Sequence, residues 1–277
     1  FDVVTWLVLT IGLIFAHATN NLLNDITDYR RGVDRDNYFR AQYGPQPLEH
    51  GLMTVRELMA YVVVTALIAV VCGVYLVYVR GPWVLALMAV GAFFVLFYTW
   101  PLKYIGLGEV SVILVWGPLM VAGGYFVMTG EWSWPVAIAS LPYALGATTI
   151  IFGKHVDKYE DDRAKGIHTL PVIIGERNGR LVILAMFALQ YLLTIYLVWS
   201  GYFSPILLIV LLALTTMRLV LPMYLQPKPK EMPQNYMLDI WPLYFVAAAF
   251  FHNRRFGMLY LLGMLIDAAL RVRGLVG

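Results

Sequence analysis

From Leu181 to Tyr202 the chain carries no charged side chain, and from Val55 to Val79 the only charges are Arg56 and Glu57 at the start. A soluble helix shows apolar residues as a stripe along one face, not as an unbroken run. Eighteen or more consecutive apolar residues mark a transmembrane helix, because only a closed backbone hydrogen-bond ladder survives in lipid. Eight such segments are readable, at residues 3–24, 58–79, 83–98, 110–128, 135–152, 181–199, 205–225 and 241–270. Most match the about 20 residues that cross about 30 Å of hydrocarbon. Segment 83–98 is short, and 241–270 holds Asn253, Arg254 and Arg255, so it is one long broken helix or two shorter ones. The fold class expected is all-α, a polytopic transmembrane bundle, with residues 1–277 as one domain.

The connections alternate in charge. Residues 25–57 carry Arg30, Arg31, Arg35, Arg40 and Arg56; 100–108 carry Lys103; 154–180 are again long and basic; 226–234 carry Lys228 and Lys230. The intervening turns, near Gly81, Glu131 and Gly201, hold only Arg80 as a basic residue. By the positive-inside rule the basic loops are cytosolic. This patterning explains the net charge of +3 without a nucleic-acid-binding surface. Charged residues make up 13% of the chain, against about 25% in soluble domains. The single cysteine, Cys72, excludes an intrachain disulfide and argues against a thiolate metal site. The chain opens on Phe1 directly into an apolar run, so upstream residues are expected to precede it.

Both long basic loops are also rich in carboxylates. In the first, Asn21, Asn24, Asp25 and Asp28 share one face if the helix continues through Asp28. Hard oxygen ligands at a membrane boundary suit Mg²⁺, which keeps several waters and bridges to phosphate. In the second, Asp157 and Asp161 stand one helical turn apart, with Asp162 beside them. Lys154, Lys158, Arg163 and Lys165 lie close enough in sequence to neutralise a diphosphate. Two acidic clusters on one side of the membrane repel unless cations lie between them. Mg²⁺ with a diphosphate satisfies that charge and stabilises a leaving diphosphate. The allyl cation left behind needs a dry, aromatic pocket, for which Phe15, Phe94, Tyr98, Tyr125 and Tyr143 are candidates.

The pattern Asn24-Asp25-x-x-Asp28-x-x-x-Gly32-x-Asp34, with Asp157-x-x-x-Asp161 and Gly166-x-x-Thr169-Leu170-Pro171-Val172, resembles the UbiA superfamily of intramembrane prenyltransferases over essentially the whole chain. The resemblance implies nine transmembrane helices, of which the first is missing here. It implies metal binding by Asp25, Asp28, Asp34, Asp157 and Asp161 or Asp162, with Asn24 in support. Tyr98-Thr-Trp-Pro101-Leu-Lys103 resembles the family's stretch whose lysine reaches the diphosphate; Arg35, Lys154, Arg163 and Lys165 join it as substrate-binding candidates. Gly32 followed by Asp34, then Tyr43-Gly44-Pro45 and Gly51-Leu52, is similar to the dihydroxynaphthoate prenyltransferases of menaquinone synthesis. That branch has Asn-Asn-x-Arg-Asp at the second motif, where this chain has Gly153-Lys154-His155-Val156-Asp157.

The implied activity is Mg²⁺-dependent prenyl transfer from a prenyl diphosphate, drawn from membrane lipid, to an aromatic acceptor at the cytosolic mouth of the bundle. The alternative is a terpene cyclase of the same superfamily, in which the substrate's own double bonds capture the cation. Alanine at Asp28 or Asp157 is expected to abolish turnover without unfolding the bundle. Arg218 either contacts diphosphate or snorkels, His17 lines the cavity or packs in the core, and Asp267 pairs with a basic neighbour.

Overall fold

The computed structural model describes residues 1–33, 45–234, 236 and 240–276. Among these, six helices are long and apolar enough to cross a membrane: α1 (Val3–Arg30), α2 (Val55–Arg80), α4 (Gly108–Thr129), α5 (Trp134–Asp157), α8 (Glu176–Trp199) and α9 (Pro205–Leu225). The shorter apolar α3 (Pro82–Phe97) and the long α10 (Phe245–Val272) complete the bundle. Segment 241–270 is therefore one continuous helix, entered after Trp241. Two short helices, α6 (Tyr159–Ala164) and α7 (Leu170–Ile174), lie between α5 and α8.

Local chemistry fixes where each crossing starts. Asp2 accepts from the backbone N–H of Val4 and Thr5 at the head of α1. A reciprocal Thr54–Glu57 capping box opens α2. Gly81, at φ 88°, and Pro82 at the first helical position make the tight α2–α3 turn. α4 is broken at its centre: Gly117 is non-helical (φ −103°, ψ −107°), Pro118 follows, and residues Val115–Ala122 form wide π-type turns. A Cβ on Gly117 would stand 2.9 Å from the Ala144 Cβ, so the glycine lets α4 and α5 approach closely.

Helices cross in alternating directions, which gathers residues 31–33, 45–54, 98–107, 158–175, 226–234 and 240–244 at one end of the bundle. The opposite end is tied by Arg80, which donates to the Met128 carbonyl at 2.7 Å, and by Arg271, which reaches the Tyr202 carbonyl at 2.9 Å. Asp267 pairs with Arg271 at 2.7 Å and accepts from the Ser204 N–H, as the sequence suggested.

The main core joins α5, α8, α9 and α10 through Phe152, Phe187, Tyr224 and Phe245, all fully buried. Several polar side chains within it satisfy one another. His252 contacts Thr216 and Tyr191 at 3.0 and 3.3 Å, and Asn253 donates to Thr149 at 2.6 Å. The motif-bearing end of α5 is seated directly on α10: a Cβ on Gly153 would lie 2.9 Å from the Phe245 carbonyl oxygen and the Val246 nitrogen. Backbone cannot rotate aside as a side chain can. G153A is therefore expected to destabilise the protein by about 1–3 kcal/mol, read as a lower melting temperature in detergent; an unchanged melting temperature would show that α10 shifts freely.

Candidate active site

α1 does continue to Arg30, so Asn21, Asn24, Asp25 and Asp28 form the stripe that the spacing suggested. Asn24 accepts a hydrogen bond from Thr99 Oγ1 at 3.1 Å. Asp28, 6% exposed, takes Lys103 Nζ on both oxygens at 2.9 and 3.1 Å. Burial alone would lower the Lys103 pKa; the adjoining Asp28 charge outweighs it and holds the ammonium above its ordinary range. Lys103 is aimed by the tight turn Leu102–Tyr104, against which Gly108 packs so closely that a Cβ there would lie 3.2 Å from the Lys103 Cα. The Arg31 guanidinium lies 5.0 Å and 4.8 Å from the ring centroids of Trp100 and Tyr104.

The second motif differs from its expected geometry. α5 ends at Asp157, Lys158 leaves helical geometry (φ −101°, ψ 15°), and α6 starts afresh at Tyr159. Asp157 and Asp161 are thus not neighbours on one helical face. The Asp157 side chain turns into the bundle and caps the start of α10. Oδ2 accepts from the N–H groups of Tyr244 and Val246, Oδ1 from that of Phe245, each at 3.0 Å. Lys228 Nζ stands 3.4 Å from Oδ1. Four donors, three of them backbone, occupy a carboxylate whose side chain is 0% exposed.

Of the two following acids, Asp161 is exposed and Asp162 is buried at 2%. Lys158 Nζ sits 3.2 Å from Asp162 Oδ1, and Oδ2 has no hydrogen-bond partner among the described residues. Lys165 Nζ donates to the Val33 carbonyl at 2.8 Å, and Ile105 forms a β-bridge with His168. The loops bearing Asp28, Lys103 and Asp162 are thereby laced together. Tyr104 lies among them: burial raises its phenol pKa first, and the Asp28 charge adds to that, with Lys103, Arg31 and Asp162 also within electrostatic reach. Its buried hydroxyl has no hydrogen-bond partner among the described residues. Lys154 is half-buried, while Arg163 and Lys165 are exposed at the rim. Asp34 and Arg35 lie outside the described residues.

Deeper along the bundle, His17 contacts Asn21 at 3.2 Å and meets Trp116 edge-on at 5.3 Å; Trp116 in turn faces Tyr143 at 6.2 Å. This aromatic row runs from α1 through the broken centre of α4 to α5. Phe94 packs on Phe93, and Arg218 is exposed on α9.

Among the described residues no three His, Cys, Asp or Glu side chains cluster as a ready cage for a metal. The orphaned, buried Asp162 Oδ2 and the Asp28 carboxylate nevertheless fit a hard divalent cation that keeps waters and bridges to phosphate. Lys158, read from the sequence as a charge that neutralises diphosphate, is also the i, i+4 partner of Asp162. Sequence reasoning missed other participants. Tyr104, Lys228 and the buried Glu109–His155 contact depend on partners far apart in the chain, and no local pattern announces them.

Comparison with known proteins agrees with this architecture. Residues 1–243 match the UbiA prenyltransferase family. The chain is 24% identical over 272 residues to the 1,4-dihydroxy-2-naphthoate octaprenyltransferase of Bacillus subtilis (strain 168), covering 96% of this chain and 83% of that protein. It is 25% identical over 187 residues to human UbiA prenyltransferase domain-containing protein 1, covering 66% of this chain and 54% of that protein; it thus spans about half the length of this relative. A UbiA homolog from Aeropyrum pernix K1 superposes with a TM-score of 0.72 at 19% identity, covering 97% of this chain and 91% of that one. A UbiA homolog from Archaeoglobus fulgidus, solved with GPP and Mg²⁺ bound, gives 0.60 at 15% identity, covering 97% and 88%. A bundle whose acid- and lysine-bearing loops converge at one end, matched over most of its length, places this chain in the UbiA prenyltransferase family.

Proposed function

We propose that the protein transfers a prenyl group from a prenyl diphosphate to an aromatic acceptor of the dihydroxynaphthoate type. The observation that carries this reading is the meeting of Asp28–Lys103 with the half-satisfied Asp162 across three laced loops. Lys103, Lys158, Lys165 and Arg31 bring positive charge to the same mouth, where a diphosphate of matching charge can be held. Asp28 and Asp162, with Asp25 and Asn24 beside them, would hold Mg²⁺. When bound, Mg²⁺ supplies charge that stabilises the leaving diphosphate. Lys103 orients the head group, and the His17–Trp116–Tyr143 row offers ring faces to the allyl fragment in a water-poor interior. The alternation of basic loops supports a cytosolic position for this mouth. Support for the acceptor class comes from the Bacillus relative, which spans nearly this whole chain.

The test is product formation by purified protein with Mg²⁺ and geranylgeranyl diphosphate, with and without dihydroxynaphthoate, read by mass spectrometry. A prenylated naphthoquinol that forms only with acceptor, and vanishes on chelation by EDTA, is the expected result. A cyclic terpene formed without acceptor would replace transfer by cyclisation. Full activity in EDTA would remove the metal.

A further inference from the structure

Glu109 lies outside the paired aspartate motifs, His155 stands in the second motif two residues before Asp157, and both are buried, at 2% and 5% exposure. Glu109 stands in the first turn of α4 and His155 near the end of α5; Nδ1 and Oε1 are 2.6 Å apart. That short contact fixes one carboxylate oxygen. The other, Oε2, is buried with no hydrogen-bond partner among the described residues. Leaving such a group unpaired in a low-dielectric interior costs stability, which a ligand hydroxyl donating to it would recover.

Its placement gives it a role. Glu109 follows the Gly108 that packs on Lys103, and its charge reaches the Tyr98 hydroxyl, which also feels Lys103 and Asp28. Glu109 thus stands beside the turn that aims Lys103 at the mouth. His155 from α5 contacts it directly, and the Tyr98 hydroxyl after α3 lies within its electrostatic reach; Tyr98 is in turn within reach of Lys103 and of Asp28, which Lys103 holds.

We propose that Glu109 takes the hydroxyl proton of the aromatic acceptor during prenyl transfer, with His155 as its positioning residue. This rests on the prenyl-transfer reading above. The acceptor's ring carbon forms the bond to the allyl carbon, and the allyl carbon–oxygen bond breaks with its electron pair leaving on diphosphate. The hydroxyl oxygen becomes a ring carbonyl as its proton passes to Glu109 Oε2. Loss of the substituent on the attacked ring carbon, as CO2 from a dihydroxynaphthoate or as a proton to water from an unsubstituted position, and return of the Glu109 proton to the oxygen restore the aromatic hydroxyl.

The test is E109Q assayed against hydroxynaphthalene acceptors of graded acidity, with binding of geranylgeranyl diphosphate followed by thermal shift. Transfer to an acceptor with an ordinary phenol is expected to fall about 100-fold. It should recover towards the wild-type rate with a nitro-substituted acceptor already ionised at the assay pH, diphosphate binding staying unchanged. An equal loss on every acceptor would make the pair structural and overturn the proposal, as would no loss on any. If E109Q does not fold, H155N carries the same series, with an about tenfold loss and the same recovery expected. Wild-type protein inactive on every acceptor would instead sink the prenyl-transfer reading itself.

Discussion

D28A is expected to lower turnover by about 100- to 1000-fold, the range seen when one preorganised electrostatic partner is removed from a reacting centre. Asp28 is the point at which the first motif and the Tyr98–Lys103 turn meet. Its two oxygens hold one ammonium at 2.9 and 3.1 Å. Without it, Lys103 loses its aim as well as its partner, and the remaining acid in the same field, Asp162, has one oxygen already committed to Lys158. D28N separates charge from shape, since the amide still offers Lys103 an oxygen; it should lose nearly as much as D28A. D162A should follow both. D161A should stay within about threefold of wild type, because an exposed side chain is well solvated and contributes little to a buried charge cluster. Initial rates across a Mg²⁺ titration decide the matter. Wild-type turnover in D28N would remove Asp28 from the site, and equal losses in D161A and D162A would move the second site to the exposed acid.

Much of this was legible because lipid leaves a chain few choices. Long apolar runs fixed the helices to within a few residues, and the loop charges sorted their ends. The first motif was readable for a local reason: Asn24, Asp25 and Asp28 sit on a single unbroken helix, so spacing translates directly into a face. The second motif was less so. Spacing from 157 to 161 reads as one turn only if the helix continues, and it stops at Lys158. The donors that claim Asp157 arrive from residues 244–246, and the partner of His155 from residue 109. Such pairings are properties of packing between distant helices, which periodicity does not encode. The break in α4 at Gly117-Pro118 had a visible cause, but what it admits, the Trp116 ring between His17 and Tyr143, depended on the fold.

D157A is expected to act first on stability, with a loss of about 3–5 kcal/mol and a melting temperature lowered by roughly 5–15 °C. Three N–H groups at the start of α10 lose their acceptor inside the protein, where water cannot replace it. Lys228, which also stacks on Trp241 at 5.6 Å, loses the Asp157 charge in the same step. D157N should fall between wild type and alanine: one amide oxygen can still accept, while its NH2 meets N–H groups it cannot satisfy. K228M, which keeps the acceptor for all three backbone donors, should cost less than either. Adding Mg²⁺ should leave these losses unchanged. The sequence pattern alone assigns Asp157 to the metal and expects inactive but normally stable protein on replacement. Melting curves of D157A with and without Mg²⁺ therefore separate the two roles. A wild-type melting temperature together with a lost Mg²⁺ response would turn Asp157 towards the site and leave the α10 terminus to be held by other groups. A lower melting temperature independent of Mg²⁺ would mean that this aspartate holds in place the helix against which the second motif is built.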